Sequence, residues 1–246
     1  MLKWRRKGHS GKEGMTLVEH LAELRRRIII SALTLLAAVV VGFYYSPPIV
    51  GFITKLPGEL VYLYPGEAFF VHLKVALIVG IIVSSPVILY HGIRFVVPGL
   101  LEKEKRILYV GLPLAVAMFA VGVVFAYKVI MPLAYAFFLG CGSESLSPMI
   151  SIGSYVSFVL GLVLPFGVVF QLPLIVLILT SAGIISPETL VRYRKYFILA
   201  IVIVAAVLTP PDVISQALMA LPMLILYEAS ILLAKLIVRK RQVQDR

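Results

Sequence analysis

Residues 155–185, YVSFVLGLVLPFGVVFQLPLIVLILTSAGII, form the longest apolar run of the chain, and no charged side chain interrupts it. As a single helix, these 31 residues would measure about 46 Å, since each helical residue adds about 1.5 Å. The hydrocarbon core of a bilayer is only about 30 Å thick. Pro165 and Pro173 also interrupt the helical hydrogen bonding. The run therefore predicts a membrane-crossing helix that is kinked, strongly tilted, or extends out of the bilayer.

Five more largely apolar runs accompany this one, at residues 28–45, 75–93, 107–127, 196–208 and 213–234. Hydrophobic residues make up 61% of the 246 residues and charged residues only 14%, and the mean hydropathy is +1.02. Such a composition is typical of a chain whose solvent is mostly lipid. Because backbone groups in lipid must be hydrogen-bonded internally, each run is interpreted as a helix. The predicted fold class is an all-α integral membrane protein with six transmembrane helices.

The lysines and arginines predict the orientation of these helices. Twenty of the 23 lie in four segments, residues 1–27, 94–106, 183–195 and 235–246, which would all be on one side of the membrane. By the positive-inside rule that side is the cytoplasm, so both termini are expected there. The same asymmetry accounts for the net charge of +11 through membrane topology and anionic lipid, without a nucleic-acid partner.

We expect three regions along the chain. Residues 1–14 are predicted to be a disordered basic extension, residues 15–236 a six-helix transmembrane domain, and residues 237–246 a basic cytoplasmic tail. Two long segments, 46–74 and 128–154, would connect helices on the outer side. Both are rich in proline and glycine, which fix turns, so we expect structured extracytoplasmic loops rather than mobile ones.

The fifth and sixth runs predict a short helical hairpin. Residues 196–208 would make only about 20 Å of helix, too little for a full crossing, and the run ends at the turn 209–212, TPPD. Two prolines cannot continue the helical hydrogen bonding. Counting back along the sixth helix places Glu228 near the cytoplasmic interface, where its charge is tolerated. The outer turn, with Asp212, is then expected to lie below the outer surface.

Few polar side chains in or beside the predicted spans suggest a function. Glu23 and Arg27 have the i,i+4 spacing of a helical ion pair, and Glu104 lies in a short charged turn at the same side. Gln171 needs a hydrogen-bond partner in lipid, either within the chain or on another subunit. His91 is expected to be wetted near the inner interface, and we assign it no role.

Other functional classes find little support in the sequence. A small-solute secondary transporter would place ionisable residues near the membrane midplane, and the predicted spans lack them there. An intramembrane or lipid-modifying enzyme would need a nucleophile or an acid–base pair, and no such motif or metal-ligand spacing is present. These observations predict a protein that is not an enzyme and needs no cofactor or metal.

Four motifs resemble the TatC family, the multispanning receptor subunit of the twin-arginine protein translocase. Residues 20–27, HLAELRRR, resemble the signature at the start of that family. Residues 95–106, FVVPGLLEKEKR, are similar to its first inner loop, and 84–90, SSPVILY, to its second span. Residues 208–212, LTPPD, match its turn between the last two spans. The resemblance extends from about Met15 to the end of the sixth span.

The resemblance implies a receptor in the cell membrane for folded cargo proteins. Members of the family bind signal peptides that carry two consecutive arginines, and then gather single-span subunits of the TatA/TatB type. The proton-motive force drives export. The glutamates that bind the signal peptide correspond here to Glu23 and Glu104, and Phe95 matches an aromatic residue near that site.

The resemblance also implies contacts with partner subunits. Gln171 occupies the position of a polar residue, often glutamate, through which the family contacts partner helices. Thr209 falls in the region where a partner helix docks, and Pro210, Pro211 and Asp212 complete the adjoining structural turn. Several copies of the chain are expected within one receptor complex, as a homo-oligomer surrounded by membrane lipid.

Overall fold

The chain folds into helices over nearly all of the residues that its computed structural model describes. These are residues 17–55, 60–96, 105–142, 148–181, 183–208 and 213–244. The helices are α1 (Leu17–Tyr44), α2 (Ser46–Ile53), α3 (Glu67–Val96), α4 (Lys105–Phe125), a π-helical turn (Ala126–Ile130), α5 (Met131–Gly140), α6 (Ile152–Val169), α7 (Leu172–Ser181), α8 (Pro187–Arg192), α9 (Arg194–Leu208) and α10 (Val213–Gln244). Within the described ranges the one isolated β-bridge joins Val61 and Ser151. The predicted all-α class is confirmed.

Five segments of the described chain are long and apolar enough to cross a membrane, judged by length and composition. They are His20–Tyr44, Glu67–Phe95, Gly111–Gly140, Ile152–Ser181 and Gln216–Leu236. The helix α9 has 15 residues and measures about 22 Å, shorter than a bilayer core of about 30 Å. The prediction of a short fifth helix is therefore consistent with the fold, and the number of full crossings remains a prediction.

Two helices extend further than the sequence predicts. The helix α3 begins at Glu67, and the third span continues through the π-helical turn and α5 to Gly140. The interpretation of all of 46–74 and 128–154 as loops is therefore wrong at their helical ends. Lys74 and Lys128 lie inside helices, because a long aliphatic stem lets the ammonium group reach polar surroundings without breaking the helix. The Nζ of Lys74 donates to Ser157 Oγ at 2.7 Å.

The helix α1 packs mainly against α3, and a glycine on each helix allows the close approach. A Cβ added at Gly42 would lie 2.9 Å from the carbonyl oxygen of Ala76, and one at Gly80 would lie 3.0 Å from the backbone nitrogen of Val39. Small residues allow membrane helices to pack backbone against backbone. Only 11% of the most apolar 18-residue stretch of α1 is buried. Most of the contacts that α1 makes within the chain are with α3.

The helix α6 forms the centre of the bundle. The segment Ile152–Ser181 begins with α6, and 61% of its most apolar stretch is buried, the highest share among the five membrane-crossing segments. Phe166 is fully buried, and its ring lies 5.9 Å from that of Phe125 and 6.5 Å from that of Phe170. Gly122 of α4 meets this layer, because a Cβ there would come within 2.6 Å of the Phe166 carbonyl oxygen. The helices α4 and α6 therefore pack closely through this aromatic layer.

The long fourth run is interrupted near its middle, in agreement with a kink, one of the three predicted alternatives, whereas Pro165, predicted to interrupt the helix, lies inside α6. The helix α6 ends at Val169 and α7 starts at Leu172, with Phe170 and Gln171 forming a turn between them. The backbone nitrogen of Gln171 donates to the Val168 carbonyl oxygen at 2.9 Å, which tightens the chain locally. Pro173 follows, and it lacks the N–H that a continuous helix would use.

The helices α9 and α10 lie antiparallel. The Nε2 of Gln216 donates to the Val202 carbonyl oxygen at 3.1 Å, and the rings of Phe197 and Tyr227 stack with centroids 4.9 Å apart. At the end of α9 opposite Leu208, a salt bridge of 2.9 Å joins Arg194 to Glu228. These contacts hold α9 against α10, the two helices that the sequence predicts to form a hairpin.

Two connecting segments, residues 60–66 and 148–151, pair with each other beside the starts of α3 and α6. We call them the distal cap, because they lie at the opposite end of α3 from Phe95. The backbone nitrogen of Val61 donates to the Ile150 carbonyl oxygen at 3.2 Å, and Ile152 N donates to the Val61 carbonyl oxygen at 2.8 Å. Paired backbone groups give these segments a fixed conformation. The structured connecting loops that the sequence predicts are present over these residues.

Several predicted features lie outside the described residues. They are the extension 1–14, Glu104, and the turn 209–212, which contains Thr209, Pro210, Pro211 and Asp212. Their roles stay predictions. The helix α10 continues to Gln244, so most of the basic tail predicted at 237–246 is helical.

Candidate functional site

The predicted recognition carboxylate, Glu23, lies in the first turns of α1 and is paired within that helix. Both Nε and Nη2 of Arg27 donate to the same oxygen, Glu23 Oε1, with the Nε contact at 3.1 Å. The side chain of Glu23 is 25% exposed and that of Arg27 only 10%. The other carboxylate oxygen, Oε2, is buried and has no hydrogen-bond partner. One carboxylate oxygen of Glu23 thus accepts two hydrogen bonds, and the other accepts none.

Arg27 also connects α1 to α3. Its Nη1 donates to the His91 carbonyl oxygen at 3.3 Å. The three donors Nε, Nη1 and Nη2 therefore bridge a side chain of α1 and the backbone of α3. A planar guanidinium with fixed donor directions is suited to holding two groups at once. Arg27 fixes the position of Glu23 relative to α3.

Phe95, the aromatic residue predicted at this site, lies at the end of α3 beside the start of α1. Its ring stacks on His20 with centroids 4.4 Å apart and an interplanar angle of 17°. His20 is three residues before Glu23 and thus on a neighbouring part of the same helix surface. Arg94, next to Phe95, donates to the Tyr90 hydroxyl at 2.6 Å. The structure therefore brings Phe95 and Glu23 to the same end of the α1–α3 pair.

A cavity of 360 Å³ adjoins this end, between α1 and α3. Its lining combines aliphatic side chains of both helices with Arg27, His91 and Phe95. The Nδ1 of His91 is buried without a hydrogen-bond partner, so the expectation that His91 is wetted is wrong for this atom. The aromatic ring, the guanidinium and the unpartnered nitrogen thus surround one space.

Gln171 lies in a different part of the molecule, at the break between α6 and α7. Its side chain is buried, and Nε2 donates to the Ala115 carbonyl oxygen of α4 at 3.1 Å. It also lines an apolar groove of 540 Å³ between α3, α4 and α7. Of the two partners that the sequence left open, the structure shows the internal one for the amide nitrogen.

A second group of charges lies where α8, α9 and α10 meet. Arg194 and Glu228 form an ion pair whose side chains are 44% and 47% exposed. Glu188, in the first turn of α8, has a lowered pKa because its own backbone amide and the Ser186 hydroxyl donate to the carboxylate. Tyr227 donates through its hydroxyl to the Leu190 carbonyl oxygen at 2.8 Å. The Tyr227 hydrogen bond joins α10 to α8, and the Arg194–Glu228 pair joins α10 to α9.

Sequence reasoning found part of the site and missed the rest. The spacing of Glu23 and Arg27 predicts their pairing, but it does not predict that Arg27 is buried or that it reaches His91. No local signal places His91 opposite Arg27, because the two residues are 64 positions apart in the chain. Among the described residues, no three His, Cys, Asp or Glu side chains are grouped so that they could hold a metal ion.

The chain matches a protein-family model and many known relatives. The model described as Sec-independent protein translocase protein (TatC) matches residues 19–222. A Sec-independent protein translocase protein TatC from Carboxydothermus hydrogenoformans is 45% identical over 228 residues, covering 91% of this chain and 94% of that relative. The TatC protein from Aquifex aeolicus is 43% identical over 237 residues, covering 93% of this chain and 98% of that relative.

The fold is likewise similar to solved structures. A crystal structure of the Twin Arginine Translocase Receptor TatC superposes with a TM-score of 0.81 at 42% sequence identity, covering 89% of this chain and 99% of that one. A second crystal structure of that receptor, in the detergent DDM, has a TM-score of 0.81 at 41% identity. The chain therefore belongs to the TatC family of Sec-independent protein translocase proteins and is a multi-pass membrane protein that acts in protein transport.

Proposed function

We propose that this chain is the receptor subunit of a twin-arginine translocase, and that it binds paired-arginine signal peptides at the end where α1 meets α3. The observation that carries this proposal is the carboxylate of Glu23, which is partly exposed beside Phe95 at the start of a membrane-crossing helix. A carboxylate accepts the donor fork of an arginine in bidentate fashion, which a lysine ammonium cannot match. Glu104, close in sequence to the start of α4, is the second carboxylate of the proposed site.

The proposed site agrees with the charge distribution of the chain. Arg25, Arg26 and Arg94 are exposed at the same end as Glu23, and the basic segments at 183–195 and 235–246 are expected on that side too. Under the positive-inside rule that side is the cytoplasm. We therefore propose six crossings of the cytoplasmic membrane, with α9 as the short fifth and both termini in the cytoplasm.

We further propose that partner subunits contact the chain through membrane helices. The groove beside Gln171 is apolar and lies between α3, α4 and α7, and an amide in lipid is a strong hydrogen-bonding group. Single-span subunits of the TatA/TatB type are the proposed occupants, with Thr209 and the turn Pro210–Asp212 as a second contact. The chain itself catalyses no covalent step in this proposal. Export uses the proton-motive force.

Substitution of the two glutamates tests the site. Glu23→Ala and Glu104→Ala should each weaken binding of a paired-arginine signal peptide by more than about tenfold, because losing one partner of a close charge pair costs about 2–5 kcal/mol. Glu→Asp at either position should weaken it less. The readout is photo-crosslinking of the labelled peptide to the full chain in membrane vesicles.

Glu228→Gln is the matched control, since Glu228 is also a partly exposed carboxylate paired with an arginine. It should leave peptide crosslinking unchanged. Equal crosslinking of the peptide to Glu23→Ala, Glu104→Ala and the unsubstituted chain would refute the proposed site.

A further inference from the structure

The carboxylate proposed to bind the signal peptide is already occupied by a guanidinium of the same chain. Arg27 places two donors on Glu23 Oε1, and Glu23 Oε2 is inaccessible to solvent. An arriving arginine therefore finds Oε1 already occupied by Arg27 and Oε2 inaccessible in this structure. Since Arg27 is itself only 10% exposed, the internal pair is partly shielded from water and is stronger than a surface salt bridge.

We propose that Arg27 is an internal competitor that a signal-peptide arginine must displace from Glu23, and that it thereby sets the affinity of the site. This inference rests on the proposed function, in which Glu23 is a binding carboxylate. Binding is then an exchange of one cation for another on the same carboxylate. The selectivity depends on how well the arriving cation contacts Glu23.

The exchange favours arginine over lysine for a physical reason. An arriving arginine restores the two guanidinium donors that Glu23 loses when Arg27 leaves, so the exchange is close to neutral at this carboxylate. A lysine offers a compact, strongly hydrated ammonium without the fixed fork of donors. It would replace a two-donor contact with a weaker one and would also pay for its own dehydration. The free energy of displacing Arg27 is the same for both peptides, so competition by Arg27 raises both Kd values by one factor, and the preference for arginine comes from the arriving cation's own contact with Glu23.

The structure provides a place for the displaced guanidinium. Arg27 lines the 360 Å³ cavity together with His91, and its Nη1 already contacts the His91 carbonyl oxygen. The buried Nδ1 of His91 has no partner, and in the tautomer protonated at Nε2 it is a hydrogen-bond acceptor. Arg27 can thus exchange Glu23 for an acceptor on α3 without leaving the α1–α3 pair.

The test compares two peptides on two variants of the full chain in lipid nanodiscs. The probes are a fluorescent synthetic signal peptide with paired arginines and its paired-lysine counterpart, and the readout is the Kd of each. In Arg27→Gln both Kd values should fall by the same factor, about tenfold, because neither peptide then displaces a guanidinium from Glu23, and their ratio should stay unchanged. Arg27→Lys, a weaker competitor that keeps the charge, should lower both Kd values by a smaller factor.

Arg26→Gln is the matched control, because Arg26 is exposed on the same helix and its loss removes the same charge. Both Kd values should stay unchanged in this variant. If Arg27→Gln weakens both peptides, or leaves both Kd values unchanged, the competitor role is refuted and Arg27 only holds the helices. Size-exclusion chromatography confirms that each variant is folded.

The test separates this inference from the proposed function. If Glu23→Gln abolishes binding of both peptides while Arg27→Gln tightens neither of them, only the competitor role is refuted. If Glu23→Gln leaves both affinities intact, the binding site itself is refuted.

Discussion

At the scale of single residues, the clearest structural role belongs to Glu67, which secures the distal cap to the helices. Its side chain is buried, Oε2 accepts the backbone N–H of Leu63 at 2.5 Å, and Oε1 accepts that of Gly153 at 2.8 Å. Gly153 lies in the first turn of α6, where a negative charge is favoured by the helix dipole. One carboxylate thus joins the start of α3, the cap and the start of α6.

Loss of this carboxylate should destabilise the protein. In Glu67→Ala the two amides of Leu63 and Gly153 lose a buried, charge-assisted acceptor, and the thermal unfolding temperature should fall by about 5 °C or more. Glu67→Gln keeps one acceptor oxygen and should cost less. Differential scanning fluorimetry in detergent measures both, with the exposed Glu188→Ala as the control. Equal unfolding temperatures for all four proteins would contradict the role of Glu67.

The sequence predicts residue roles only where the partners are close along the chain. Glu23 and Arg27 are four residues apart, so their pairing follows from helix geometry alone. The contacts of Arg27 with His91 and of Gln171 with Ala115 join residues 64 and 56 positions apart. Such contacts depend on how two helices pack, which the hydrophobic pattern does not specify. For the same reason the sequence does not predict that Arg27 is buried against α3 while it pairs with Glu23.

At the scale of helices, the α1–α3 pair depends on Gly80. A Cβ at this position would lie 2.5 Å from Val39 Cγ2 and 3.0 Å from the Val39 backbone nitrogen. The side chain can rotate away, but the backbone cannot move unless the two helices separate. Gly80→Ala should therefore cost about 1–3 kcal/mol, as overpacking of a close contact does. Gly92→Ala on the same helix is the control, because a Cβ there meets nothing within 4 Å.

Disulfide crosslinking between α1 and α3 measures this separation. Engineered cysteine pairs across the two helices should crosslink less efficiently in Gly80→Ala than in Gly92→Ala, and the unfolding temperature should fall only in the former. The exposed native Cys141 is replaced by serine in every variant compared. Identical crosslinking in the two variants would show that α1 is not held by this contact.

Helix positions could be predicted from the sequence, but not all helix ends. The kink of the fourth segment follows from a run too long for the bilayer with prolines inside it, and α7 starts two residues after the break begins at Phe170. The start of α3 at Glu67 and the end of α5 at Gly140 could not be predicted from the lengths of the uncharged runs. There Lys74 and Lys128 mark the end of an uncharged run, whereas the backbone remains helical around them. A charged side chain indicates how deep its residue lies in the membrane, whereas the backbone hydrogen bonds determine where the helix ends.

At the scale of the whole molecule, the helices differ in how far they reach from their charged ends. From Arg27 to Tyr44, α1 rises about 26 Å, whereas α9 rises only about 18 Å from Lys195 to Val207. Glu228 pairs with Arg194 at the charged end of the α9–α10 pair, so that end is fixed near the polar interface. If both charged ends lie at the same interface, the other end of α9 lies about 8 Å deeper in the bilayer than that of α1.

This difference in depth can be measured with tryptophan fluorescence. Tyr44 and Val207 are almost equally exposed, at 79% and 78%, so Tyr44→Trp and Val207→Trp compare depth rather than accessibility. The background is Trp4→Phe, which removes the one native tryptophan. In bilayers of brominated lipids, tryptophan at 207 should be quenched most by bromines deep in the acyl chains, and tryptophan at 44 by bromines near the headgroups. Because the bilayer must thin to match a short hairpin, lipids with shorter chains should bring the two quenching depths closer together. Equal depths in lipids of every length would mean that the α9–α10 hairpin reaches as far across the membrane as α1.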